Sequence, residues 1–253
     1  MNATGIESKK LIIFDLDGTL APSKSPLEPI MAELMIKLLA KVKVAVISGG
    51  GYPQFQQQFL SRLPATSERY SHLLLLPTSG TQLFTWKGEW HQEYAETISS
   101  NERKRVIDVL KRALKIGGYV EPQKVYGEII EDRGSQITFS GLGQSAPLAA
   151  KLIWDPDHSK RKKIVEYLEK NLPTYDCRIG GTTSIDITSR GVNKSFGIRK
   201  LENHLHVHID EMLFVGDALF QGGNDFPAKA TGVDCIQVKD PTETAHLIAS
   251  WVH

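Results

Sequence analysis

Residues 11–20 have the sequence Leu-Ile-Ile-Phe-Asp-Leu-Asp-Gly-Thr-Leu, and this segment is the strongest indication of the fold class. Its first four residues are apolar without alternation, which is typical of a strand buried on both faces of a parallel sheet. Such a strand ends at the carboxyl edge of an open α/β sheet, where ligands bind. Asp15 and Asp17 stand at this end and would repel each other unless a cation lay between them. Their hard oxygen atoms suit Mg²⁺.

The same pattern of apolar strand, polar strand end and helix recurs along the chain. Residues 42–47 and Leu73–Leu76 are further apolar runs with helical spacing between them, and residues 212–215 form another. An alternation of strands and helices predicts right-handed crossovers and a parallel sheet. The first part of the chain and its last part therefore belong to one Rossmann-like α/β core.

The pattern changes in the middle of the chain, where hairpin-like strands alternate with two helices. We assign residues 81–189 to an inserted α+β domain. The core is then formed by residues 1–80 and 190–253. Trp86 and Trp90 fall in the predicted insert, and the basic run at 160–163 is interpreted as the solvated start of a helix.

Charge and cysteine content exclude several classes of function. The 253 residues contain 30 Lys and Arg against 29 Asp and Glu, so the net charge is +1. This balance argues against a nucleic-acid or membrane-surface role that depends on bulk charge. Cys177 and Cys235 have no paired spacing, and residues 1–10 lack the apolar segment of a signal peptide. We therefore expect a cytoplasmic protein.

Three further segments carry groups that can bind a phosphate or a cation. Ser48-Gly49-Gly50 follows the second strand and begins a helix, where a hydroxyl and backbone N–H groups can bind phosphate. Lys194, at the start of a later helix, can neutralise Asp15 and the phosphate. Asp217 follows the last strong core strand and can complete a Mg²⁺ site with Asp15 and the backbone carbonyl of Asp17. Asn224 and Asp225 can orient that site from the side.

These motifs resemble those of the haloacid dehalogenase superfamily in their order, with the larger cap of the type two-B subclass. The chain is similar to the eukaryotic-type phosphomannomutases over nearly its whole length. The features that carry the resemblance are residues 15–22, Pro77 with Gly80, residues 133–144, residues 180–186 and residues 216–225. It implies that Asp15 attacks phosphorus, that Asp17 is the general acid and base, and that Asp15, Asp17, Asp217 and Asp225 serve a Mg²⁺ site.

The resemblance also implies which residues bind substrate. Relatives bind the distal end of a hexose phosphate with their cap, largely through arginines, and pair as dimers through it. Here Lys24 and Lys151 stand where the family has arginine, and Thr138 replaces an asparagine. Lysine lacks the planar guanidinium that binds phosphate with two hydrogen bonds, so we expect the binding of the distal phosphate to be altered. The predicted substrate-binding residues are Lys24, Gly49, Arg133, Gln144, Lys151, Ser184, Asp186 and Asn224.

We therefore predict a Mg²⁺-dependent phosphotransferase that forms an aspartyl phosphate and acts on a sugar phosphate. The altered cap favours a phosphatase, with a phosphomannomutase that interconverts mannose 1-phosphate and mannose 6-phosphate as the alternative. A non-catalytic sugar-phosphate binder is a remote third hypothesis. A homodimer through the cap is expected, with neither nucleic acid nor membrane as partner.

Overall fold

The computed structural model describes residues 6–64 and 68–252, which divide into two compact units. The core domain joins the chain up to Ala95 to the chain from Asn193 onward, and the inserted domain spans Glu96–Val192. The sequence analysis predicts boundaries at residues 80 and 190, whereas the structure has them after residues 95 and 192.

The regular elements follow one another in the order expected for an interrupted α/β domain. The strands are β1 Leu11–Asp15, β2 Lys43–Ile47, β3 Leu73–Leu76, β4 Gln82–Trp86, β5 Trp90–Ala95, β6 Ile130–Asp132, β7 Gln136–Ser140, β8 Tyr175–Gly180, β9 Ser184–Ser189, β10 Met212–Gly216 and β11 Asp234–Gln237. The α-helices are α1 Pro29–Leu39, α2 Tyr52–Gln58, α3 Ser100–Ile116, α4 Leu148–Trp154, α5 Ser159–Asn171, α6 Lys194–Leu205, α7 Phe226–Lys229 and α8 Pro241–Val252.

The core domain is built on a seven-stranded sheet in the order β11-β10-β1-β2-β3-β4-β5, and β11 to β3 are parallel. Residues of β1 alternate between two apolar clusters. Ile12 and Phe14 lie in the cluster that includes α1 and α8, whereas Ile13 lies in the cluster that includes α6. Helices thus cover both faces of the sheet, which explains why the strand is apolar without alternation.

A hairpin of β4 and β5 extends this sheet, although the sequence analysis assigns it to the cap. Strand β4 pairs antiparallel with β3, with Leu75 opposite Phe84. The rings of Trp86 and Trp90 lie 5.4 Å apart, and both contact Tyr70 of the core. The predicted location of the two tryptophans in the cap is therefore wrong. The hairpin belongs to the core sheet, because β4 forms backbone hydrogen bonds with the edge of β3.

The inserted domain is an antiparallel sheet in the order β6-β7-β9-β8, packed against helices. Its apolar core joins Val106 and Leu110 of α3, Ile164 and Leu168 of α5, and the inward side chains of the sheet. The architecture is the α+β type expected from the sequence. Within the parts of the chain that the structure describes, every helix is too short or too polar to cross a membrane.

Candidate active site

The carboxyl ends of β1, β2 and β10 bring the predicted core residues to one sheet edge. Phe14 lies opposite Val215 and Asp15 opposite Ile47, so Asp15 stands between the ends of its two neighbours. Asp217 follows β10 directly, and Ser48 follows β2. The register of three parallel strands therefore sets the spacing of the site.

A tight turn at residues 78–80 fixes the loop that carries Ser48. The N–H of Ser79 donates to the carbonyl of Ser48 at 2.8 Å, and the N–H of Gly50 donates to Ser48 Oγ at 3.0 Å. Gly80 has a φ of +87°, and a Cβ there would lie 2.4 Å from Gly197 Cα in α6. Glycine at both positions lets α6 approach closely, and Lys194 is the first residue of that helix.

Lys194 is buried between two carboxylates. Its Nζ lies 2.5 Å from Asp15 Oδ1 and also donates to Asp225 Oδ1. Burial alone would lower the pKa of Lys194, but the two carboxylates outweigh it and raise that pKa. The ammonium is therefore retained at the position that the sequence predicts for neutralising the nucleophile.

Three carboxylates form a cluster that fits a divalent cation. Asp15, Asp217 and Asp225 each present one oxygen within 4.8 Å of the others. Burial and the negative charges of Asp225 and Asp217 raise the pKa of Asp15, and Lys194 offsets this only in part. Burial and Asp225 raise the pKa of Asp217. Asp15 Oδ2 is buried and has no hydrogen-bond partner among residues 6–64 and 68–252. A set of hard oxygen donors with excess negative charge is suited to Mg²⁺.

Asp225 and Asn224 differ in burial and in position relative to the carboxylate cluster, although the sequence predicts that both orient the site. Asp225 is fully buried, and its Oδ2 accepts from the N–H of Ala218 at 3.0 Å. It is thus part of the carboxylate cluster itself. Asn224 is exposed on the same loop.

Asp17 is not among the three carboxylates of the cluster, because β1 ends at Asp15 and the chain turns at Gly18, whose φ is +89°. Its carboxylate accepts from the N–H of Lys24 at 2.5 Å and from the side-chain amides of Gln54 and Gln58 at 2.9 Å. Asp17 therefore lies in the turn beyond β1 and does not share a strand face with Asp15. The sequence analysis also missed the two glutamines, since amides on a helix give no signal of a carboxylate partner.

Lys24 and Gly49, two predicted substrate residues of the core, lie in the loops around this site. Lys24 is half-buried and has a φ of 52°, a left-handed conformation that a non-glycine residue rarely adopts. Gly49 is half-buried between Ser48 and Gly50.

The predicted residues of the inserted domain are engaged in contacts within that domain. Asp186 Oδ1 accepts from Thr138 Oγ1 at 2.8 Å and from Gln136 at 2.9 Å. Ser184 Oγ lies 3.0 Å from Ser140 Oγ on the neighbouring strand. Strands β7 and β9 thus present a connected row of polar side chains.

The cationic residues of the inserted domain also have local partners. Arg133 Nη2 lies 2.7 Å from Glu131 Oε2, and the arginine side chain is 8% exposed. Lys151 is buried, and its Nζ donates to the carbonyl of Gln144 at 3.2 Å.

Arg161 is a residue that the sequence analysis misread. The run at 160–163 was interpreted as solvated, yet Arg161 is fully buried and pairs with Asp155 at 2.7 Å. Its Nη1 donates to the carbonyls of Gly180, Gly181 and Ser184 at 3.0–3.3 Å. Burial would raise the pKa of Asp155, but the hydrogen bonds from Arg161 and nearby backbone lower it. The position of Arg161 on the inner face of α5 is the signal that could have identified it.

The two cysteines show no reactive character. Burial raises the pKa of Cys177 to about 12 and that of Cys235 to about 11, so both thiols stay protonated at neutral pH. Both are free of disulfide bonds.

Comparisons with known proteins agree with this geometry. Human phosphomannomutase 1 is 25% identical over 250 residues, which cover 96% of this chain and 88% of the human protein. A solved structure of N-terminally truncated Plasmodium falciparum IMP-nucleotidase is similar with a TM-score of 0.71 at 17% identity, covering 98% of this chain and 71% of that one. A haloacid dehalogenase-like hydrolase from Bacteroides thetaiotaomicron has a TM-score of 0.61 at 14% identity, covering 96% of this chain and 99% of that one.

The solved structures show that the fold is the haloacid dehalogenase fold. The family model for eukaryotic phosphomannomutase matches residues 31–251, so the chain belongs to this family and is an enzyme of its class.

Proposed function

We propose that this protein is a Mg²⁺-dependent phosphotransferase that acts on a sugar phosphate and works mainly as a phosphatase. The observation that carries the proposal is the buried Lys194 bridging Asp15 and Asp225, next to an Asp15 Oδ2 without a described hydrogen-bond partner. Lys194 holds one nucleophile oxygen and supplies positive charge. Mg²⁺, when held by Asp15, Asp217 and Asp225 with the backbone carbonyl of Asp17, would neutralise charge on the phosphoryl oxygens.

The chain's own residues supply the two chemical steps. A carboxylate oxygen of Asp15 bonds to phosphorus while the bond from phosphorus to the sugar oxygen breaks, and Asp17 gives its proton to that oxygen. Water then attacks phosphorus, Asp17 takes up the proton, and the bond between Asp15 and phosphorus breaks. The hydroxyl of Ser48 and the N–H of Gly49 donate to the phosphoryl oxygens.

The cationic residues of the inserted domain favour a phosphatase over a mutase. A mutase must hold a second phosphate while the first reacts, and Arg133 is the arginine retained for that role. In this structure it pairs with Glu131, while Lys151 donates to a backbone carbonyl. We propose that Arg133, Gln144, Lys151, Ser184 and Asp186, with Lys24 and Asn224 of the core, bind the sugar part of the substrate.

Phosphomannomutase remains the second candidate because the family model covers most of the chain. Incubation with mannose 1-phosphate and glucose 1-phosphate, following both 6-phosphate and free phosphate, separates the two. We expect free phosphate to dominate. Predominant 6-phosphate would establish the mutase, and a folded protein inactive on every ester of a broad panel would contradict both.

We further propose a cytoplasmic homodimer. Two protonated free thiols suit a reducing compartment. In the inserted domain, α4 exposes Leu152 and Ile153 by 55% and 80%, an apolar surface that a second copy would cover. Light scattering at micromolar concentration should give twice the monomer mass, and a monomer mass would contradict the dimer.

A further inference from the structure

Two glutamines of α2 hold the carboxylate of Asp17. Gln54 Nε2 donates to Asp17 Oδ2 and Gln58 Nε2 donates to Oδ1, each at 2.9 Å. Gln54 Nε2 also donates to Gln58 Oε1 at 2.8 Å, so one amide supports the other. We propose that Gln54 and Gln58 are positioning residues that fix Asp17 for proton transfer. The proposal rests on the phosphotransferase function proposed above.

The helix places these two amides on one face, because residues four apart are neighbours on its surface. Gln58 is buried at 3% exposure and Gln54 is half-buried, whereas Gln56 and Gln57 of the same helix are exposed. Burying an amide is costly unless its groups are hydrogen-bonded. Here the side-chain amide of each glutamine donates to the Asp17 carboxylate, which offsets the free-energy cost of burial.

The surrounding backbone makes room for the contact. A Cβ on Gly50 would lie 2.3 Å from Gln54 Oε1, so glycine leaves the space in which the side chain folds back. On the other side, the N–H of Lys24 donates to Asp17 Oδ1 at 2.5 Å. Asp17 is thus tied both to the loop that follows β1 and to the helix that follows β2.

The contacts distinguish the two carboxylate oxygens. Oδ1 accepts hydrogen bonds from the Lys24 N–H and from Gln58 Nε2. These two bonds use both lone pairs of Oδ1. Among residues 6–64 and 68–252, Gln54 is the one donor to Oδ2, which leaves that oxygen one lone pair. We therefore assign Oδ2 as the oxygen that exchanges the proton, with Gln58 as the anchor of Oδ1.

Leaving-group dependence tests this assignment. Phenyl phosphate and p-nitrophenyl phosphate have nearly the same size, but the phenol of the first is the poorer leaving group and needs the acid more. The value of kcat/KM reports the steps through transfer to the enzyme, so subsequent hydrolysis of the aspartyl phosphate does not obscure the comparison.

We expect Gln54→Leu and Gln58→Leu each to lower kcat/KM for phenyl phosphate by about tenfold, against less than about threefold for p-nitrophenyl phosphate. The loss should fall on kcat, with KM nearly unchanged, because Asp17 does not bind the ground-state phosphate. Gln57→Leu, on the exposed side of α2, is the matched control and should leave both esters unaffected. Should Gln58→Leu fail to fold by circular dichroism, Gln58→Met keeps the length of the side chain, loses the donor and should show the same selectivity.

Equal losses on the two esters would overturn the proposal, since glutamines that only support the fold would affect both alike. Wild-type values in both variants would overturn it as well. A wild type that releases no phosphate from either ester would instead overturn the proposed function, and that result differs from an active enzyme insensitive to both glutamines.

Discussion

The core domain and the inserted domain use buried charge in opposite ways. At the sheet edge of the core, three carboxylates share one lysine, which leaves excess negative charge and a carboxylate oxygen without a described partner. In the inserted domain, Arg161 is matched by the Asp155 carboxylate and by four backbone carbonyls. Incomplete neutralisation suits a site that receives a cation and a phosphate, whereas complete neutralisation suits a structural role.

A buried charge therefore indicates function only where its partners leave the local charge incompletely neutralised. Lys194 and Arg161 are both buried lysine or arginine side chains at or near the start of a helix. The partners around each side chain, rather than its burial, separate Lys194 at the proposed reaction site from Arg161, which binds the carbonyls of Gly180, Gly181 and Ser184. Four changes test this comparison.

The largest expected effect is on activity, at Asp15. Asp15→Asn should lower p-nitrophenyl phosphate hydrolysis by at least about a thousandfold, because no other carboxylate replaces the nucleophile. Its stability should change little, since Lys194 keeps Asp225 as partner and one excess buried charge is removed. The matched change Asp155→Asn should do the reverse and destabilise the fold. Comparable activity losses in the two variants would contradict the division of roles.

Arg161→Met should have the largest effect on stability. Removing one member of a buried ion pair leaves the other charge without compensation, which costs about 3–5 kcal/mol in the free energy of unfolding. Urea unfolding of the full chain measures this loss. Lys162→Met, at the exposed neighbouring position, should change the same quantity by less than about 0.5 kcal/mol. A small loss in both variants would show that Arg161 is not the structural cation inferred here.

Glu131→Gln should have a smaller effect, on substrate binding. If Glu131 competes with the substrate for Arg133, the neutral amide should lower KM for a hexose phosphate by about three- to tenfold. Hydrolysis of p-nitrophenyl phosphate, which lacks a sugar, should be unchanged. A higher KM for the hexose phosphate would mean that Glu131 orients Arg133 instead of occupying it.

The sequence predicted which residues lie together at the ends of the parallel strands. Asp15, Ser48 and Asp217 each follow an apolar run, and parallel strands bring their carboxyl ends to one edge. Lys194 was found by its position in the series of motifs. The fold class follows from the same apolar runs, because unalternating strands require helices on both faces.

Other features depend on tertiary partners that leave no local pattern. The sequence pattern of the β4–β5 hairpin is the same whether the hairpin begins an inserted domain or extends the sheet beyond β3. Gln54 and Gln58 look like surface residues until the turn after β1 brings Asp17 to them. Arg161 lies within a basic run, and the burial of one face of α5 alone separates it from its neighbours.

The smallest expected effect concerns Mg²⁺ and pH, and it tests the excess charge of the core directly. Because burial raises the pKa of Asp217 above the unfolded value, protonation favours the metal-free fold. This contribution is present below the unfolded pKa and is lost as the pH rises through the folded pKa. Mg²⁺ can replace the proton as the balancing charge, so its effect should grow with pH. We expect Mg²⁺ to raise Tm on the order of 5 °C at about pH 7.5 and less at about pH 5. Differential scanning fluorimetry measures the shift, and Asp217→Ala should remove most of it. A shift that persists in Asp217→Ala would place the bound ion away from the three carboxylates, and the contrast between the two domains would then need another cause.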